Sequence, residues 1–114
     1  MTNPFKVASN SPNKREIDPR LATSVVLVTA GVHAKMSNNS NFKQEVVFSV
    51  ARFQMLDWGD TCKTDAKTNE ICLTTHDRLF AVYHTCEGKI YIIADAAMEN
   101  KPYEHITVLF PSEY

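Results

Sequence analysis

The sequence predicts an α+β domain in which two or three short helices pack on a three-stranded antiparallel meander, with room for one extra N-terminal strand. Three observations predict this class. The chain has 114 residues, which is the length of one small domain. Apolar residues recur at helical spacing between residues 42 and 53, and short apolar runs separated by turns follow from residue 78 to residue 110.

The N-terminal segment, residues 1–21, is predicted to be an irregular arm. It contains Pro4, Pro12 and Pro19 among polar and basic residues, a composition that interrupts helices and strands. Residues 22–114 are then predicted to form a single α+β domain.

The first element of that domain is predicted to be a strand. Residues 24–29 read Ser-Val-Val-Leu-Val-Thr, a short β-branched run that is typical of a buried strand. Gly31 follows it, and residues 32–36 have the composition for one or two helical turns. A polar break at residues 37–41 separates this segment from the next.

The clearest helix in the sequence is predicted to begin after Asn41. The side chain of Asn41 suits an N-cap, and Gln44 stands three residues later, as in a capping box. The apolar residues that follow form one stripe, which indicates a core-facing helix, with a groove-filling recognition helix as the alternative. They are Phe42, Val46, Val50 and Phe53, with Val47 beside them.

The second half of the chain predicts one more helix and then three strands. Thr64 or Asp60 is expected to cap a short helix that runs to about Leu73. Strands are expected over residues 79–84, 90–94 and 105–110, with a glycine-containing turn at residues 86–89 and Pro111 after the last strand. Consecutive strands of this kind form a meander.

Composition excludes several classes of protein. Apolar residues make up 44% and charged residues 22%, as in ordinary water-soluble domains, and the net charge is −1. Direct nucleic-acid binding is therefore not expected, because such domains carry a basic excess. No apolar run is long enough to span a bilayer and no secretory signal is visible, so the expected location is the cytoplasm. The three cysteines are expected to be reduced.

The charge is divided unevenly along the chain. Residues 1–53 carry seven Lys and Arg against three acids, a charge of +4, and residues 54–114 carry ten acids against five bases, a charge of −5. Two interpretations follow. The halves attract each other across the fold, or the second half offers an acidic face to a basic partner.

The sequence contains only weak matches to catalytic motifs. The three glycines form no phosphate-binding loop, and the cysteines and histidines lack the spacing of a zinc module. The carboxylates Asp57, Asp60 and Glu70 could hold Mg²⁺ in a hydrolase or nuclease, but nothing in the sequence fixes their geometry, and helix capping and a solvated surface are sufficient to explain them. Trp58 is expected to pack its loop against the sheet, or, if exposed, to anchor an interface.

Several short motifs together resemble a known group of proteins. They are Asp57-Trp58-Gly59-Asp60, Asn69-Glu70, Arg78-Leu79-Phe80-Ala81-Val82-Tyr83, Lys89-Ile90-Tyr91-Ile92-Ile93 and the ending Leu109-Phe110-Pro111-Ser112-Glu113-Tyr114. Their order over residues 24–114 resembles a family of small proteins carried on plasmids and prophages, often labelled plasmid-related protein. The chain departs from the family's Thr-Glu-Ala-Asp-Arg stretch, which is Ala-Asp-Ala-Ala-Met here at residues 94–98 and lacks the Glu and the Arg.

The resemblance and the charge division lead to one functional expectation. The chain is expected to be a non-enzymatic accessory protein of a mobile genetic element, without a cofactor or metal, that binds another protein and inhibits a host defence system as anti-CRISPR proteins do. The expected partner is a nucleic-acid-binding defence effector, because an acidic surface can compete for its basic channel. Alternatives are the metal-dependent hydrolase and a small regulator of mobile-element genes. The expected contact residues are Asp57, Trp58, Asp60, Glu87, Glu99 and Tyr103.

Overall fold

The structure is a computed structural model that describes residues 16–114. Most of the predicted N-terminal arm, residues 1–15, lies outside the described residues. The described part contains four helices, four strands and a final 3₁₀ turn. These are α1 (Pro19–Ala22), β1 (Val25–Val28), α2 (Ala30–Asn38), α3 (Ser40–Gln54), α4 (Lys63–Thr75), β2 (Leu79–Thr85), β3 (Gly88–Ala94), β4 (His105–Leu109) and the 3₁₀ turn (Pro111–Glu113).

The four strands form one sheet in the order β1-β4-β3-β2. Strands β2, β3 and β4 pair antiparallel, which confirms the α+β class and the predicted meander. The extra N-terminal strand is also present, but β1 runs parallel to β4, with Val25 beside His105 and Val28 beside Val108. The sheet is therefore mixed. Parallel pairing needs a long connection between the two strands, and three helices with β2 and β3 separate β1 from β4 in the chain.

The core lies between the sheet and the helices. Every second residue of β2, from Leu79 to Tyr83, is buried and packs with apolar residues of α3 and α4. Four residues of the stripe predicted on α3, Phe42, Val46, Val50 and Phe53, are buried and confirmed as core. The prediction was wrong for Val47, which is 59% exposed because it lies off the side of the helix that packs in the core. After the final 3₁₀ turn, Tyr114 packs edge to face on Tyr91 of β3, with ring centroids 5.8 Å apart.

The prediction that the first strand is buried was wrong. Val25, Val26 and Leu27 are 56%, 43% and 45% exposed. The physical reason is the strand order, which places β1 at the edge of the sheet, with one neighbouring strand among residues 16–114. A β-branched apolar run favours a strand in either position, so its composition does not distinguish an edge from a centre.

The predicted helix starts need correction. Helix α3 is capped by Asn39 and not by Asn41, since Asn39 Oδ1 accepts a hydrogen bond from the backbone of Phe42 at 3.1 Å. Helix α4 follows Cys62, which makes no side-chain cap, so neither of the predicted caps, Thr64 or Asp60, fills that position. It also continues past Leu73 to Thr75.

Two further helices have clear local causes. Helix α2 has nine residues, longer than the one or two turns predicted, because Thr29 caps it by accepting from the backbone of Val32 at 3.3 Å. Within the segment predicted to be irregular, residues 19–22 form the single turn α1. Asp18 caps this turn and Pro19 occupies its first position, where proline is favourable. No helix of the described residues is long and apolar enough to cross a membrane.

Candidate functional site

The loop that follows α3 is attached to the outer edge of β2. The backbone N–H of Asp60 donates to the carbonyl of Val82 at 2.8 Å, and Val82 N–H donates to Thr61 Oγ1 at 2.9 Å. Asp60 Oδ2 also accepts from the backbone N–H of His84 at 3.0 Å. Gly59 permits this approach with its positive φ of 63°, because it lies directly against the Tyr83 ring. The loop therefore covers the edge of β2 and fixes the position of Asp60.

Asp57 is held at the C-terminal end of α3. Its Oδ2 lies 2.9 Å from Arg52 Nε, and its Oδ1 accepts from Gly59 N–H at 3.1 Å. The Arg52 guanidinium lies over the Tyr83 ring at 5.3 Å, and the Tyr83 hydroxyl donates to the Asp57 carbonyl at 2.7 Å. This ion pair joins the basic first half of the chain to its acidic second half.

Two of the six predicted contact residues are buried in the core. Trp58 is 8% exposed, packs edge to face on Phe53 at 5.4 Å and donates its indole N–H to Glu70 Oε2 at 2.7 Å. Trp58 is therefore buried as expected, but these two contacts are with helices α3 and α4, whereas the sheet was predicted. Tyr103 is fully buried, and its hydroxyl donates to the Asp77 carbonyl at 2.7 Å. A direct contact of either ring with a partner would require this packing to open.

The turn between β2 and β3 is attached to the N-terminal end of α3. Glu87 accepts from Asn39 Nδ2 at 2.8 Å and lies 3.4 Å from Lys35 Nζ, which is a second ion pair between the halves of the chain. Glu45 Oε1 accepts from the backbone N–H of Cys86 at 2.9 Å. The same helix thus holds the turn at one end and the 57–60 loop at the other.

Between these two attachments, α3 exposes two large apolar side chains. Val47 and Phe48 are 59% and 64% exposed, and they lie on the outer side of α3 with Ser40, Lys43, Gln44 and Ala51. Phe48 also lies near Glu45 and near Cys86 of the turn. Phe48 was not among the predicted contact residues, and Val47 was predicted to belong to the core-facing stripe. Their signal is an apolar pair that falls off the core-facing stripe of the helix.

Helical spacing places Phe48 beside Glu45 and Arg52. Glu45, Phe48 and Arg52 are separated by three and four positions, so they share one side of α3. Because Glu45 contacts the turn and Arg52 contacts the loop, Phe48 lies between them along the β2 edge. We call this region the α3 surface. It comprises Glu45, Val47, Phe48, Asp57, Asp60 and Glu87.

Hydrogen bonds keep the carboxylates of the α3 surface ionised. The pKa of Asp60 is lowered by its hydrogen bonds to His84, whose Nδ1 lies 3.0 Å from Asp60 Oδ2. The pKa of Glu87 is lowered by its hydrogen bond from Asn39. Contacts with Cys86 lower the pKa of Glu45. At neutral pH Glu45, Asp60 and Glu87 are therefore negatively charged, while Lys43 and Arg52 place positive charge on the same helix as the exposed apolar pair.

The last predicted contact residue lies elsewhere. Glu99 is exposed in the loop between β3 and β4, residues 95–104. Strand β3 runs from the β2–β3 turn to this loop, so Glu99 lies at the opposite end of the sheet from Glu87. The structure thus places Asp57, Asp60 and Glu87 near α3, with Asp57 at its C-terminal end and Glu87 at its N-terminal end, and separates Glu99 from them.

The carboxylates considered for a metal site each have another partner. Asp57 pairs with Arg52, Asp60 with His84, and Glu70 with the Trp58 indole. Among residues 16–114, no three His, Cys, Asp or Glu side chains are placed so that they could hold a metal ion. Comparison of the chain with protein-family models, with curated proteins and with solved structures gives no match.

Proposed function

We propose that this chain is a non-enzymatic accessory protein of a mobile genetic element that binds another protein in the cytoplasm through its α3 surface. The observation that carries the proposal is the exposure of Phe48, 64%, beside Val47, 59%, on a helix whose opposite side is packed in the core. Aromatic side chains supply much of the energy of protein interfaces. Covering a side chain of this size contributes about 1.5–3 kcal/mol.

The charge around Phe48 supports a basic partner. Asp60 accepts a hydrogen bond from the backbone of His84 near the end of β2, and Glu87 lies in the turn that follows β2. Glu45 lies one helical turn from Phe48. Carboxylates at the rim of an interface attract a partner of opposite charge and select against acidic surfaces. The proposed contact is an apolar patch on the partner that is bordered by Lys and Arg.

We infer that the partner is a nucleic-acid-binding effector of a host defence system. Proteins that bind DNA or RNA carry basic channels for phosphate. A small acidic surface with an apolar centre can occupy such a channel and exclude the nucleic acid. The resemblance to plasmid- and prophage-borne proteins supports this role, because a mobile element gains from inhibiting the defences of its host.

Affinity capture from host cells tests the proposed surface and the proposed partner chemistry together. The bait is the purified chain, compared with Phe48→Asp and with the matched control Ile71→Asp, since Ile71 is 61% exposed on α4. The expected result is a basic protein that the wild type and Ile71→Asp retain, that Phe48→Asp loses, and that added duplex DNA or RNA releases. Equal retention by Phe48→Asp would refute the surface, and resistance to nucleic acid would refute the channel.

The inhibitory role needs a separate experiment in cells. A strain with an active defence system is transformed with a targeted plasmid while the chain is expressed. The expected result is that transformation rises with the wild type and with Ile71→Asp but not with Phe48→Asp. No rise with the wild type in any defence-positive strain tested would refute this role and leave the capture result to decide the binding surface.

A further inference from the structure

Strand β1 presents an open edge of the sheet. The N–H of Val25 donates to Glu104 at 2.8 Å and that of Thr29 donates to Val108 at 3.1 Å, so alternate residues direct their backbone groups toward β4. Val26 and Val28 lie between them in register and direct their N–H and C=O groups away from β4. Among the described residues no strand lies on that side of β1.

The opposite edge of the sheet is closed by the chain itself. On β2, Phe80 exchanges two hydrogen bonds with the Asn69 side chain, at 2.7 and 3.1 Å. Val82 bonds to Asp60 and Thr61 of the loop. The outward backbone groups of β2 from Phe80 to Val82 therefore already have partners, and this edge cannot accept another strand.

Strand β1 lacks the features that usually protect an exposed edge. Natural edge strands carry lysine, proline, a bulge or a cover. Here the strand reads Val-Val-Leu-Val, without charge, and Val25, Val26 and Leu27 are between 43% and 56% exposed. Exposure occurs on both faces of the strand, because successive side chains alternate between faces.

We propose that β1 pairs antiparallel with β1 of a second copy of this chain, to form a closed twofold dimer with one continuous eight-stranded sheet. The strand is self-complementary. A twofold axis would place this uncharged apolar strand beside the same strand of the second copy, so no charges of the same sign would face each other. Because β2 is closed in each copy, the pairing stops at two chains and does not continue as a filament.

The size of the contact sets its strength. Pairing centred on Val26 would form about four backbone hydrogen bonds between four-residue strands. Such an edge contact covers less than the ~1,200 Å² that a stable interface needs. The dimer is therefore expected to be concentration-dependent, with single chains at low micromolar and pairs at high micromolar to millimolar protein. It is also expected to be insensitive to salt, since the strand is uncharged.

Sedimentation equilibrium of the full chain over this concentration range tests the pairing. The expected result is a mass that rises from 12.9 kDa to twice that value. The variants Val26→Lys and Val26→Pro are expected to remain at the single-chain mass, whereas Val47→Lys and Phe48→Asp are expected to dimerise as the wild type does. Proline is tolerated where an edge N–H faces solvent, so Val26→Pro is expected to fold, which circular dichroism checks.

Hydrogen exchange on the unmodified chain gives a test that does not depend on variants. The Val26 amide is expected to gain protection as the protein concentration rises, while the amides of β2 do not change. A single-chain mass up to 1 mM, or a dimer that forms without added protection of Val26, would overturn the proposal. The proposed binding surface would stand in either case, because Phe48 takes no part in this pairing.

Discussion

Replacing Asn69 with alanine is expected to destabilise the fold more than any other single polar substitution on α4. Asn69 is 2% exposed, and its side chain makes the two backbone hydrogen bonds that a neighbouring strand would make with β2. Its Nδ2 donates to the Phe80 carbonyl at 2.7 Å, and its Oδ1 accepts from the Phe80 N–H at 3.1 Å. Alanine removes both bonds and leaves a backbone donor and a backbone acceptor without partners.

The magnitude follows from those two bonds. Each intramolecular hydrogen bond contributes about 0.5–1.5 kcal/mol, and a buried group left unpaired costs about 1–3 kcal/mol. Phe80 is only half-buried, so water satisfies part of the loss. The free energy of unfolding is therefore expected to fall by about 2–3 kcal/mol.

Urea denaturation of the full chain measures this change. The matched control is Thr68→Ala on the preceding position, where an exposed hydroxyl donates to the Thr64 carbonyl at 3.0 Å. Its expected effect is below about 0.5 kcal/mol. A loss under 1 kcal/mol for Asn69→Ala, or equal losses for the two variants, would refute the assignment of Asn69 as the partner of the β2 edge.

Asn69→Asp separates the two hydrogen bonds. An aspartate keeps the acceptor for Phe80 N–H, but its second oxygen faces the Phe80 carbonyl. Burial and this repulsion disfavour the charged form, so the pKa of this aspartate in the folded state lies above its unfolded value of about 3.9. The variant's deficit relative to the wild type is therefore expected to be smallest at acid pH and to grow as the pH rises through the folded pKa.

Three more substitutions test other contacts. Gly59→Ala is expected to lower the melting temperature more than Gly88→Ala, because a Cβ at Gly59 would overlap the Tyr83 ring whereas Gly88 faces open space; equal losses would contradict the close approach. Trp58→Phe keeps the ring packing but loses the indole bond, and an expected cost of about 1 kcal/mol is checked by urea denaturation. Asp18 has a lowered pKa through its hydrogen bonds to the arginine two residues later, so it stabilises the fold above its unfolded pKa and this contribution is lost as pH falls through the folded value. Melting curves of Asp18→Asn between pH 7 and pH 2 are expected to show a shallower acid loss than the wild type.

Local patterns predicted the elements well where one face is buried. The apolar spacing of α3 identifies four of its core residues correctly, and the strand predicted over residues 79–84 is confirmed, since burial imposes a period on the sequence. The cap of α3 was missed because residues 37–41 offer five side chains that can cap a helix. The choice of Asn39 depends on Glu87, 48 positions later, which accepts from the Asn39 amide.

The candidate site was only partly predictable for a similar reason. The acidic residues Asp57, Asp60 and Glu87 are visible as charges, but their placement along one helix depends on contacts with Arg52, His84 and Lys35. The contacts of His84 and Lys35 join residues that are far apart in the sequence. Strand β1 is exposed because of its place in the strand order, and the local sequence does not indicate that order. The exposure of Phe48 is not visible in the sequence, because an apolar residue next to a core-facing stripe looks like part of a wider stripe. The packing of α3 in the fold shows which of its residues face solvent.

Photo-crosslinking from position 48 tests the proposed function most directly. A benzophenone amino acid replaces Phe48 in one version of the chain and Ile71 in another, and both are irradiated in host cells. The account predicts a discrete adduct from position 48 with a basic, nucleic-acid-binding protein, which weakens when Asp60 and Glu87 are replaced by lysine, and no such adduct from position 71. Absence of an adduct at position 48, or the same adducts from both positions, would contradict it.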